Sequence, residues 1–531
     1  MSRRGMYFKA TLFSLTTAAV LATASCATVA EKPQPLQASR GQPAPVSNPV
    51  VPGDYPDPSV IRVGDEYWAT ATSSEWAPHF PLLRSRDLLS WEPVGAIFET
   101  APAWSDANYW APELQEDKGQ FFVYYTAHKK NGPLCVAVAT APRPQGPYTD
   151  HGPIICDPPG SIDGVLIRDE NDVPYLVWKV DGNSRGEPTP LFAQQLNEAR
   201  TGFAQGSTRQ QLIVNDAPWE GAVVEGPYMM KRDGWFYMFY AGGACCGRAC
   251  TYGEGVARSR KLLSGWEKHP RNPIVRTNAE WKCPGHGSVV TDAAGQSYLM
   301  YHAYSTKDTV YVGRQAVLDP LTWGADGWPT VSGGGTGGQM RAPTGFSEEF
   351  NGSSLAVGWQ WPAGRKPDAR VSGGMLTLAP SADRATDPTG AVFARSTNAG
   401  RYVALTAVDL SSLAGGAQAG LSAFGDVENA LGLRVKGNTL ELWRREKNAE
   451  QVVHSQPAPT GGKLHLRMTA REGHLFRFSA SADGTTWLDV GNEVNGEFLP
   501  PWDRGVRVAL TAGGAPGASA RFDSLAISPQ P

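Results

Sequence analysis

Three carboxylates and an imidazole stand at the heads of similar hairpins: Asp57, Asp163, Glu225 and His286, with Ala111 at the same place in a fifth copy. Side chains at one place in a cyclic repeat gather around one axis, so heads 52 to 62 residues apart in sequence converge in space. Crowded, partly desolvated carboxylates repel each other, and their pKa values separate until one group keeps a proton and another keeps its charge. A proton donor facing a charged base is the pairing that cleaves an acetal, the chemistry of a glycosidase. Glu220, five residues before Glu225 in WEGAVVEGP, competes as the donor but precedes the repeat head.

The stretch EGPYMMKRDGWFYMFY from Glu225 shows what positions such a residue. A short apolar strand, a charged turn with Gly and an aromatic return strand follow a period of two, which is a hairpin. The layout recurs as DPSVIRVGDEYWATA, APELQEDKGQFFVYY, DGVLIRDENDVPYLVW and HGSVVTDAAGQSYLMY. The spacing leaves room for one four-stranded blade per copy, and echoes such as SRDLLSW and SRKLLSGW supply outer strands. The fold class expected is all-β: a five-bladed β-propeller over residues 48–331, a Gly-rich linker over 332–345 with SGGGTGG at its start, and a β-sandwich over 346–531. The last region alternates apolar and polar residues between Gly/Asn/Asp turns without an internal repeat.

A chain of 531 residues exceeds one ordinary core. Gly (59) and Pro (42) are abundant and charged residues make up only 19%, as many tight turns between short strands require. A net charge of −3 with scattered Lys and Arg excludes nucleic acid as the expected partner and gives no basic patch for an anionic membrane. Residues 1–25 open with Arg3, Arg4 and Lys9 and continue into an acid-free apolar run, the pattern of a signal peptide. Cys26 follows Thr-Ala-Ser and resembles a bacterial lipoprotein cleavage site without its Leu. Two outcomes stay open, a lipid anchor at Cys26 or soluble release, with a Pro/Gln/Ala-rich tether over 26–47 in either case. The expected location is exported: periplasmic, extracellular or lipid-anchored. With Cys26 set aside, Cys135, Cys156, Cys245, Cys246, Cys250 and Cys283 form an even set suited to disulfides, their pairing open. The spacing of Cys245, Cys246 and Cys250 is not that of a zinc site, and Asp169, Glu170 and Asp172 lack EF-hand spacing.

Taken in order, Tyr55-Pro56-Asp57-Pro58-Ser59, SRDLLSW, WAPEL, SIDG, EGP and GHGS resemble glycoside hydrolase family 43 over residues 48–331. The resemblance implies a propeller that hydrolyses xylose or arabinose glycosides with inversion, Asp57 as general base, Asp163 as the carboxylate that keeps Glu225 protonated, and Glu225 as general acid. It implies Arg314, in VYVGRQAVL, as a substrate clamp. No cofactor is required, but His286 lies where family members hold a calcium-centred water cluster at the propeller axis. Trp76 and Trp110 offer aromatic faces to a sugar, and Glu113, two residues past its head, is a substrate contact or a blade-to-blade partner. The C-terminal region resembles the concanavalin A-like domain behind xylosidase-type members. The expected partner is a xylose- or arabinose-containing oligosaccharide or polysaccharide, with β-xylosidase or α-L-arabinofuranosidase action. The alternatives are an endo-arabinanase, a galactan-directed enzyme or a non-catalytic carbohydrate-binding propeller. A retaining fructan hydrolase is disfavoured, because Pro-Asp-Pro and Glu-Gly-Pro replace its Asn-Asp-Pro and Glu-Cys-Pro.

Overall fold

The structure is a computed structural model that describes residues 46–331, 340–413, 415–500 and 502–531. The signal-peptide segment, Cys26, the tether up to residue 45 and the SGGGTGG stretch lie outside the described residues. Val46 is already buried with Val50 and Val51, so packed chain begins two residues before the expected boundary at 48.

Five antiparallel four-stranded sheets follow one another, each with its strands in chain order. Their inner strands are Ser59–Val63, Ser105–Asp117, Ser161–Arg168, Val224–Arg232 and Trp281–Thr291. Apolar alternation drives the blades together face to face, as Val165, Val177, Met229 and Met238 do between blades 3 and 4. Blade 5 meets blade 1 through Ser288, whose hydroxyl accepts the Val60 amide at 3.0 Å. The N-terminal segment seals the same seam, where Asn48 exchanges two hydrogen bonds with the Leu318 backbone.

The inner strands of blades 2 to 5 carry a bulge at the head, two residues facing one. The bulged pairs are Ala111-Pro112, Asp163-Gly164, Gly226-Pro227 and His286-Gly287, and Asp57-Pro58 takes this place in blade 1. The first residue of each pair is left-handed, at φ 46°, 58°, 59°, 50° and, for Asp57, 52°. This corrects the alignment of the fourth repeat: its head is Gly226, and Glu225 precedes it. The repeated unit is a left-handed residue followed by Pro or Gly, and the carboxylate of EGP sits outside it. Gly is required there for a second reason, since a Cβ on Gly226 would come 2.8 Å from the His286 ring.

The C-terminal region is a sandwich of a six-stranded sheet and a larger one, its core built from residues such as Leu421, Leu433, Leu466, Leu510 and Phe522. It docks on blade 1. Trp361–Pro362 pairs antiparallel with Trp76–Ala77, and Arg507 Nη1 reaches buried Asp54 Oδ2 at 2.9 Å. Among the described residues the only helical segments are short 3-10 turns. The cysteines pair as Cys135–Cys156, Cys245–Cys246 and Cys250–Cys283.

Candidate active site

Four of the five heads are fastened from the preceding blade. Thr72 Oγ1 accepts the Ala111 amide at 2.7 Å, Thr126 Oγ1 that of Asp163 at 3.0 Å, and Asp163 Oδ2 that of Gly226 at 2.8 Å. His302 Nδ1 lies 3.0 Å from the Asp57 amide, which joins blade 5 to blade 1. The same contacts that hold a strained bulge therefore gather the polar groups at one end of the axis.

Asp57 is buried but surrounded by donors. Thr72 donates to Oδ2 at 2.6 Å, Arg314 Nη1 to Oδ1 at 3.2 Å, and His286 Nδ1 lies 3.5 Å from Oδ1. Burial acts to raise its pKa, yet Arg314, His286 and His302 together hold it well below the usual carboxylate range. Burial lowers His302 to about 4, so this ring is neutral, and its Nδ1 either accepts the Asp57 amide or donates to the carboxylate, not both.

Glu225 enters from the residue before its bulge. Lys179 Nζ donates to Oε2 at 2.7 Å and Tyr252 OH to Oε1 at 2.8 Å. Burial acts to raise Glu225, but Lys179, Tyr252 and His286 outweigh it and lower the pKa. Burial raises Asp163 to about 6, and the Glu225 charge adds to that shift. The higher pKa of the pair falls on Asp163 and the lower on Glu225, the reverse of the order expected for an acid kept protonated by its neighbour. The reason is the ammonium of Lys179, a residue that nothing in the hairpin repeat marks.

The other expected residues divide. Trp76 does not face a sugar. It is 1% exposed and packed with Phe424 and Trp443 of the sandwich. An aromatic in a top loop serves a docked domain as readily as a ligand. Trp110 is half-buried and meets Trp502 of the sandwich edge-on, ring centres 6.2 Å apart. Glu113 sits two residues below its head beside Ser59, and burial pushes it up to about 8. Arg314 stands against Asp57, and its Nη2 donates to the Asp503 carbonyl of the sandwich at 3.1 Å. Glu220 is fully buried and bound by Tyr240, Lys268 and the amides of Asp216 and Ala217, which makes it a loop staple rather than a donor. His286 belongs to no group of three or more His, Cys, Asp or Glu side chains able to hold a metal among the described residues. Its nearest carboxylate, Asp57, already serves Arg314, and Glu225 already serves Lys179, so these residues do not fit a protein-ligated cation.

Sequence reasoning missed Thr72, Lys179, Tyr252, His302 and Trp502. Trp502 alone had a local signal, a Trp between prolines and Asp-Arg-Gly in a strand-poor stretch. Lys179 and His302 lie on second strands, Thr72 just past one and Tyr252 in a cysteine-rich loop, where register decides what they touch.

Residues 46–329 match the family described as Glycosyl hydrolases family 43, and residues 347–526 match the Beta xylosidase C-terminal Concanavalin A-like domain. Xylosidase/arabinosidase 43B of Humicola insolens is 30% identical over 54% of this chain and 55% of its own length, so the chain spans about half the length of that curated relative. The non-reducing end alpha-L-arabinofuranosidase BoGH43B of Bacteroides ovatus is 25% identical over 88% of this chain and 91% of its own. The crystal structure of the GH43 BlXynB protein from Bacillus licheniformis superposes with a TM-score of 0.77 at 24% identity, over 91% of this chain and all of the other, a likeness of fold.

Proposed function

The chain belongs to glycoside hydrolase family 43, and from that premise we propose that it is an inverting, exo-acting glycosidase that releases xylose or arabinose from plant oligosaccharides or polysaccharides. The observation that carries the proposal is the placement of three carboxyl groups around His286, Asp57 bound by Thr72 and Arg314, Glu225 by Lys179 and Tyr252, and Asp163 bound to the Gly226 amide, with Asp57 held charged and burial raising Asp163 to about 6.

Asp57 accepts a proton from water as the water oxygen bonds to the anomeric carbon. The bond from that carbon to the leaving oxygen breaks, and Glu225 gives that oxygen its proton. The displacement inverts the anomeric configuration, and the proton passes from Asp57 back to Glu225 through solvent. An acetal oxygen accepts a hydrogen bond but donates none, so its arrival at Glu225 favours the protonated carboxyl and draws the proton from Asp163. Arg314 would orient the ring hydroxyls.

Two features support exo action on pentosides. The sandwich loop carrying Trp502, Asp503 and Gly505 passes over the Asp57 side of the cleft, where the Gly505 amide bonds Asp54 and the Asp503 carbonyl bonds Arg314. A wall on one side limits how many sugars extend past the cleaved bond. The relatives carry the names xylosidase, arabinosidase and arabinofuranosidase. The segment before Cys26 supports export, with Cys26 as the site of a lipid anchor or of soluble release, which fractionation of expressing cells tests.

The test is hydrolysis of phenyl β-D-xyloside, α-L-arabinofuranoside, β-D-galactoside and β-D-fructofuranoside, beside xylan and arabinan, with product anomers read by proton NMR. Turnover of one pentoside with inversion, lost in Glu225→Gln, is the expected result. A retained anomer or full activity of Glu225→Gln would overturn it.

A further inference from the structure

The residue opposite the position before each head lies at one ring position: Thr72, Thr126, Lys179, Ala241 and His302. Three of the five bind the backbone amide of the next blade's head: Thr72 binds Ala111, Thr126 binds Asp163 and His302 binds Asp57. In blade 3 that duty has moved. The Gly226 amide is taken by Asp163 instead, which frees the ring position for Lys179, whose ammonium goes to the carboxylate of Glu225.

Lys179 is 0% exposed at its side chain, with Nζ 2.7 Å from Glu225 Oε2 and 2.9 Å from Asp181 Oδ1. A buried ammonium without two such partners would be costly. Because no part of it reaches solvent, it acts on a sugar only through Glu225. We propose that Lys179 is a positioning residue for the general acid: it fixes the Glu225 carboxyl between two donors and sets the pH range over which that carboxyl carries a proton. The proposal deepens the glycosidase assignment above and rests on it.

The groups facing Glu225 are Lys179 and Tyr252 in direct contact, Asp163 and His286 across the axis, and Asp181 behind Lys179. Burial pushes Glu225 toward keeping its proton, and Lys179 is the largest opposing influence. Burial would strip the proton from Lys179 itself, but Glu225, Asp181 and Asp163 more than compensate, so the opposing charge stays in place. Lys179 therefore holds Glu225 a stronger acid than burial alone would leave it, and the carboxyl takes up its proton only as the leaving oxygen reaches it. Tyr252 fixes the other oxygen, so loss of Lys179 changes both the charge and one of two anchors.

The experiment compares wild type, Lys179→Met, Lys179→Arg and Glu225→Gln on a phenyl and a 2,4-dinitrophenyl pentoside, measuring kcat/KM from pH 4 to 9. A dinitrophenolate leaves without a proton, so it bypasses the acid. Lys179→Met is expected to move the basic limb up by about one pH unit or more. It should lose roughly tenfold or more on the phenyl glycoside but less than about threefold on the dinitrophenyl one, as general-acid contributions of this size imply. Lys179→Arg should restore the limb. The double variant Lys179→Met with Asp181→Asn removes the orphaned partner and keeps the test readable if the single variant fails to fold. An unmoved limb in a folded variant, or equal losses on both leaving groups, would overturn the proposal. Glu225→Gln separates the two levels: if it keeps full activity on the phenyl glycoside the acid assignment itself has failed, whereas if it is inactive there while Lys179→Met behaves as wild type only the role of Lys179 has failed.

Discussion

Thr72 Oγ1 donates to Asp57 Oδ2 at 2.6 Å and accepts the Ala111 amide at 2.7 Å, so one hydroxyl orients the charged carboxylate of blade 1 and anchors the head of blade 2. The catalytic geometry and the joint between blades share an atom. Thr72→Val removes a hydrogen bond to a charged group, worth about 1.5–3 kcal/mol. The expected outcome is a kcat/KM lower by roughly ten- to a hundredfold with inversion intact, checked by steady-state kinetics and product NMR.

The pH profile follows from the opposed shifts. Asp57 ionises well below the ordinary value of 3.8, so activity persists at low pH until the fold fails. The Asp163–Glu225 pair loses its proton near pH 6, so kcat/KM falls above that value. Stability carries a matching sign. Asp163 binds its proton more tightly folded than unfolded, so its contribution is fully present below pH 3.8 and is lost as pH rises through about 6. Asp163→Asn is expected to flatten Tm across that window, as thermal melts at half-unit pH steps would show.

Asp54 ties the two domains at the edge of the site. Its Oδ2 accepts from Arg507 Nη1 at 2.9 Å and the Gly505 amide at 2.8 Å, while Oδ1 accepts the Arg314 amide at 3.2 Å. Arg507→Leu strands a buried carboxylate, at a cost of about 3–5 kcal/mol. Denaturant unfolding should show that loss. The kcat/KM should fall with it, because the loop that holds Arg314 through the Asp503 carbonyl loses its anchor. A stability loss with unchanged kcat/KM would disconnect the sandwich from catalysis.

Trp502 is 48% exposed and touches Trp110 edge-on, so its ring is available to a sugar and contributes little to the core. Trp502→Ala is expected to raise KM by roughly five- to thirtyfold, as loss of about 1–2 kcal/mol of aromatic contact implies, while Tm stays within a few degrees. Isothermal titration with a xylo-oligosaccharide on the Glu225→Gln background isolates the binding part.

The period-two hairpins and their spacing were enough to expect five blades and a following sandwich, because each strand's alternation is a local consequence of facing a core on one side. Asp57 and Asp163 were also legible, since each stands at the start of a repeat. Glu225 was found by its neighbourhood, but its place was misjudged by one residue: Gly226 and not Glu225 takes the left-handed bulge. Trp76 was misassigned because burial against a second domain leaves no trace in a short aromatic motif. Lys179, His302 and Tyr252 left no signal, since they act across strand pairs and between blades at sequence distances of 27 to 245 residues.

By itself, then, the sequence determined the architecture and the chemical types at the blade heads, because strand alternation and turn residues act within a few positions of one another. The tertiary structure alone decided the directions in which the carboxyl pKa values separate. That depends on burial and on charges brought within hydrogen-bond distance of one another, Lys179 against Glu225 and Arg314 against Asp57, and Coulomb interactions in a desolvated cleft are set by distance in space rather than along the chain.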